Sequence, residues 1–148
     1  MAGIEGWEWV AALRRSPWGY GGVNAAHILG IALLIGSIVN VDLRIVGIWR
    51  GDRWREGMAE SLPVARAGFA LAAVTGAVLF AVGASRYAAL TPFLLKMALL
   101  VLALLNVAAF HGMLRRTGER TAALRLSAAM SLLLWIGVLA SGRAIGFV

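Results

Sequence analysis

Residues 27–44 read HILGIALLIGSIVNVDLR, an apolar run with a histidine at its head and an aspartate and an arginine at its tail. With its apolar flanks, the run is long enough as an α-helix to cross a hydrocarbon core of about 30 Å. From His27 to Asp42 the helix returns to within about 60° of its starting face while advancing roughly 22 Å. Two ionisable groups therefore look toward one side at two depths. Residues 96–111, KMALLVLALLNVAAFH, repeat the spacing with Lys96 and His111. The remaining chain reads as helices packed around these two.

Composition agrees with that reading. The 148 residues are 61% hydrophobic and only 14% charged, which sets the chain apart from water-soluble domains and makes residues 1–148 a single membrane domain. The net charge is +7. Its arginines gather at the ends of apolar runs, and no basic stripe with interleaved aromatics runs along any segment, so nucleic acid is not the expected partner. The lipid bilayer is. The absence of cysteine removes thiolate metal sites, iron–sulfur clusters and covalently attached haem. No Gly-rich phosphate loop, nucleophile elbow or HExxH pattern is present, which argues against soluble-style hydrolytic or nucleotide chemistry. The N-terminus has glutamates where a signal peptide has a basic region, so it is expected to be retained.

Residues 5–15 place Trp7, Trp9, Val10 and Leu13 beside Glu5, Glu8, Arg14 and Arg15, the pattern of a short helix lying at the headgroup level. Pro17 with Gly19, Gly21 and Gly22 predicts a flexible turn into the bilayer. Spans are expected at about 23–47, 67–84, 92–114 and 122–141. Ser61 and Pro63 mark the approach to the second, and Thr91-Pro92 opens the third as a cap followed by proline. The fold class is all-α: an integral membrane antiparallel four-helix bundle with a short N-terminal interfacial helix. Arg44, Arg50, Arg53, Arg55, Arg66, Arg115, Arg116, Arg120 and Arg125 lie toward one side, against Arg14, Arg15, Arg86, Lys96 and Arg143 on the other. This bias predicts a bacterial inner (cytoplasmic) membrane protein with both termini periplasmic.

Ionisable groups at membrane depth are the first functional candidates, because each is costly to insert. In the outer layer Asn24, His27 and Lys96 can surround a polar pocket. There the His27 imidazole would be a metal or haem ligand, and the Lys96 ammonium would hold an anionic group such as a propionate. The competing reading has Lys96 snorkelling outward and His27 bonding a neighbouring helix. In the inner layer Asp42 and His111 can pair, with Arg44 and Asn106 completing a network. That network either moves a proton or locks spans one and three together. One haem cannot take both histidines, which lie on the order of 20 Å apart in depth. Ser127 and Ser131 can bond back to their own helix or across to a neighbour. Gly30, Gly36, Gly47, Gly68, Gly76 and Gly83 permit close helix approach, and Gly36 with Asn40 faces away from His27.

Three stretches together resemble a group of small bacterial membrane proteins that includes copper-resistance-D-like domains and HemJ-type protoporphyrinogen oxidases. They are HILGIALLIGSIVNVDLRIVG, PVARAGFALAAVTG and KMALLVLALLNVAAFHG. Within that group the chain looks most like an uncharacterised four-helix family whose first span ends in Asp-Leu-Arg, here Asp42, Leu43 and Arg44. The resemblance to the HemJ-type enzymes implies b-type haem and porphyrinogen oxidation, carried over to His27, Arg66, Lys96 and His111. Those enzymes have a histidine two residues before the lysine, where this chain has Leu94.

The expected function is accordingly a redox or haem b-related role. An alternative is a non-catalytic accessory or scaffold subunit of a larger membrane complex, and a second is a metal or small-solute permease. A permease of four spans would have to work as a homo-oligomer.

Overall fold

The computed structural model describes residues 6–49 and 53–147, so Glu5 of the expected interfacial helix and Arg50 of the basic connection lie outside it. The described residues form α1 (Glu8–Arg15), α2 (Pro17–Val46), α3 (Trp54–Val82), α4 (Ala84–Ala88), α5 (Thr91–Thr117) and α6 (Ala122–Ala144), with a closing 3-10 turn at Ile145–Phe147. Four of these, α2, α3, α5 and α6, are long and apolar enough to cross a membrane. Consecutive long helices are joined by short connections, so neighbours run antiparallel.

Several boundaries differ from the sequence expectation for physical reasons. The glycines after Pro17 are helical rather than a turn, because Ser16 Oγ accepts from the Gly19 amide at 3.1 Å and proline occupies the first turn. The second span starts well before Ser61 and runs through Pro63. Ser61 is buried and receives a hydrogen bond from Asn40 Nδ2 at 2.8 Å, so its hydroxyl joins α3 to α2 instead of capping a helix. In α5 the cap position is Leu90, and Thr91 is already helical.

At one end of the bundle, called here the loop end, α2 and α5 stop on glycine. Gly47 (φ 97°) and Gly118 (φ 66°) take the left-handed conformation and donate back to the Leu43 and Leu114 carbonyls. At the opposite, terminal end α1 rests on α2 and α3 with Val10 fully buried, while Trp7 and Trp9 stay half exposed with ring centroids 5.9 Å apart. Phe80, Tyr87 and Phe93 stack around α4 at the same end.

The long helices form a row in which α2 and α6 are central. α3 packs on α2, α5 packs on α6, and α3 and α5 scarcely touch. The α2–α3 seam is the tightest. A Cβ on Gly30 would stand 2.7 Å from the Ala72 amide nitrogen, and one on Gly68 only 2.6 Å from that of Leu34. Without water exclusion to drive association, this backbone-to-backbone approach is how two membrane helices gain packing. The core has two parts. Ile45, Trp54, Phe110, Leu124 and Ala128 fill the loop end, and Leu34, Ala103, Trp135 and Val138 fill the middle.

Candidate functional site

The gap between α3 and α5 is a cleft of about 470 Å³, floored by α2 and α6. Its walls are mainly apolar, from side chains such as Ile38, Met58, Phe69, Leu104, Val107 and Phe110. Set into that surface are Asp42, Arg66, His111, Arg115, Ser131 and Trp135. Small-molecule sites have this build, a mostly apolar hollow with a few placed polar groups, in a volume range of roughly 300–1,000 Å³.

Two of the polar groups are incomplete. Asp42 is 7% exposed and Trp135 3%, yet Asp42 Oδ2 and Trp135 Nε1 have no hydrogen-bond partner among the described residues. The Ser131 hydroxyl stands beside the Asp42 carboxyl, and Trp135 follows Ser131 one helical turn along α6. An unmade hydrogen bond on a buried group costs about 1–3 kcal/mol, so two in one cleft are a substantial local debit in stability.

Arg66 is the third unusual group. It lies about 18 Å along α3, inside the apolar stretch, exposed at the cleft. Among the described residues it makes no hydrogen bond and no ion pair. Its depth follows from its neighbours. Ser61 meets Asn40 and Gly68 meets Leu34, so Arg66 stands level with the middle of α2. Ala65, next to Arg66, packs against the core cluster that holds Leu34 and Trp135.

The inner residues proposed from sequence separate into two kinds. Asp42 and His111 do line one cleft, but they do not bond each other. His111 commits Nδ1 to the Val107 carbonyl at 2.8 Å, which leaves Nε2 as an acceptor. Asn106 and Arg44 serve helix packing instead. Asn106 bonds Ser127 across α5 and α6, and Arg44 Nε donates to Asn40 Oδ1 at 3.1 Å while its stem lies over Gly57.

The outer residues occupy a different place. His27 shares a hydrogen bond with Thr75 Oγ1 at 3.1 Å, and its ring lies over Gly76, between α2 and α3. Lys96 lies along Gly142 of α6, near enough for its charge to act on His27, and the two are not hydrogen-bonded. Asn24 is exposed. None of these three lines the cleft. His27 and Asp42 thus serve different seams, His27 that of α2 with α3 and Asp42 that of α2 with α6.

Sequence reasoning missed Trp135 and gave Ser131 no site role. The signal was present: Ser127, Ser131 and Trp135 recur at four-residue spacing and so share one face of α6. All three are buried, and all three line the cleft.

Four packed helices long and apolar enough to cross a membrane define the class, a small helical membrane protein. The chain belongs to a family of unknown function, DUF6644, whose model matches residues 7–148. No curated protein and no solved structure matches the chain.

Proposed function

We propose that this protein binds a lipophilic small molecule carrying polar head atoms, taken up from the bilayer through the gap between α3 and α5. The observation that carries the reading is the pair of buried, unpartnered atoms, Asp42 Oδ2 and Trp135 Nε1, on two residues that line one cleft. The indole N–H asks for an acceptor and the carboxylate oxygen for a donor, and a ligand offering both would meet the two unmade bonds. The positive-inside bias of the arginines supports a bacterial inner membrane with the loop end cytoplasmic and both termini outside.

A b-type haem is one molecule of this description, and it moves the ligand role from His27 to His111. Only His111 lines the cleft, with Nδ1 fixed by Val107 and the Nε2 lone pair left for iron, and Arg66 and Arg115 line the same walls for propionates. Bound there, haem would supply one-electron redox chemistry. An accessory-subunit role would instead be read from the apolar outer face of α5, and a permease from a route across the bundle. The orphaned atoms favour ligand binding over either.

The test is to purify the protein gently, record oxidised and reduced absorption spectra with a pyridine haemochrome assay, and extract the sample for mass spectrometry. The expected result is an amphipathic species enriched over bulk membrane and lost in Val107→Trp, which puts a large ring into the cleft. Identical extracts from both proteins would remove the reading.

A further inference from the structure

An arginine held in the hydrocarbon region without a partner is expensive, about 2.5–3.5 kcal/mol on insertion scales. Such residues face a protein interior or a cavity and pair there. Arg66 faces the cleft but finds no acceptor among the described residues. Asp42, the acidic side chain among the described lining residues, stands beside Ser131 and makes no ion pair with Arg66. The Trp135 indole of the same cleft is another donor without a partner among the described residues. Two donors, one of them a fixed cation, therefore line one mainly apolar cleft.

We infer that the ligand of this cleft is a lipophilic anion, whose carboxylate or phosphate oxygen is held at the cleft wall by the Arg66 guanidinium, with the Trp135 indole N–H as a second donor on the same cleft. The inference rests on the ligand-binding reading and adds the charge of the ligand and the point where it is anchored. The guanidinium fork matches an oxyanion in two parallel hydrogen bonds, which are stronger than neutral ones and stronger still in a medium that excludes water. Asp42 does not compete for the anion. It stands one turn of α6 away, beside Ser131, where it receives a donor from the ligand. A ligand entering between α3 and α5 meets Arg66 at the cleft wall, and its apolar body lies against residues such as Phe69 and Leu104.

The experiment uses the full chain in nanodiscs of neutral phosphatidylcholine and three fluorescent probes with one acyl chain. These are the free carboxylic acid, its methyl ester and a phosphate monoester, with binding read by anisotropy. The acid is expected to bind roughly tenfold or more tightly than the ester, since it adds charge-assisted hydrogen bonds. Arg66→Gln brings the acid down to the ester's affinity and leaves the ester unchanged, while Arg66→Lys, a point charge without the fork, falls between. Tighter binding of the phosphate than of the carboxylate identifies a phospholipid-type head as the source of the oxyanion, and the reverse identifies a carboxylic acid. Acid and ester binding equally, both indifferent to Arg66→Gln and both lost in Val107→Trp, overturns the anionic anchor and leaves the cleft reading intact. No binding of any probe, or exclusion of all three by a stoichiometric dimer that covers the cleft, overturns both.

Discussion

Asn106 and Ser127 hold each other twice: Asn106 Nδ2 donates to the Ser127 carbonyl at 3.0 Å, and Ser127 Oγ donates to Asn106 Oδ1 at 2.9 Å. The pair ties α5 to α6 next to the cleft and saturates the amide oxygen that would otherwise face apolar surroundings. Interhelical hydrogen bonds in membranes contribute about 0.6 kcal/mol on average and up to about 1.7. Because the two bonds act as a unit, Asn106→Ala and Ser127→Ala should each cost about 1 kcal/mol, and the double variant clearly less than their sum. Denaturant unfolding in mild detergent measures the cycle. Strict additivity would show that the pair does not act jointly.

The α2–α3 seam tolerates no side chain at its crossing. With a Gly68 Cβ only 2.6 Å from the Leu34 nitrogen, Gly68→Ala forces the backbones apart, and overpacking of this kind costs about 1–3 kcal/mol. Gly36, on the same helix as Gly30, has nothing within 4 Å of its Cβ position, so Gly36→Ala should leave stability unchanged or raise it slightly. Thermal denaturation of the two variants side by side separates the cases. A loss at Gly36 equal to that at Gly68 would instead place Gly36 in a contact between copies of the chain.

The spans were legible because hydropathy and length decide them locally, and in the bilayer the backbone must satisfy itself. Their starts were not. Whether Ser61 caps a helix or bonds across to Asn40, and whether Gly19, Gly21 and Gly22 turn or continue, depends on neighbours that no local pattern names. The same limit explains the site. Fifteen-residue spacing predicts His27 and Asp42 near one face, but a difference of about 60° is enough for one to meet α3 and the other α6. The family match covers nearly the whole chain and carries no activity, so the haem expectation rests on the residues alone.

The two loops at the loop end are sewn together by arginines. Arg120 donates to the Arg44 carbonyl near the end of α2 at 3.2 Å, and Arg55 donates to the Gly118 carbonyl at the end of α5. Each hairpin thus supplies a cation to the carbonyl end of a helix in the other, where the helix dipole favours it by about 0.3–1 kcal/mol. Arg55→Gln with Arg120→Gln should loosen this end without melting the spans. Hydrogen exchange at residues 44–47 and 115–118 should quicken several-fold while the middle of each span stays protected. Unchanged exchange there would mean that Gly47 and Gly118 terminate these helices unaided.

Asp42 distinguishes a lock from a binding group. If the carboxylate fastens helices together, replacing it with leucine leaves a hole in a polar network and destabilises the fold. Asp42 Oδ2 has no partner among the described residues, and the Ser131 hydroxyl beside the carboxyl can turn back to its own helix. Asp42→Leu therefore removes an unmade bond and an ionisable group from the membrane interior. The ligand-free variant should be more stable than the wild type by about 1–3 kcal/mol, the range of an unsatisfied buried group. It should also lose the species that co-purifies with the wild type, the exchange of stability against function that binding sites commonly show. Equilibrium unfolding of delipidated protein, paired with mass spectrometry of the extracts, reads both effects. A variant that is less stable and still carries the ligand would return Asp42 to the role of a helix lock.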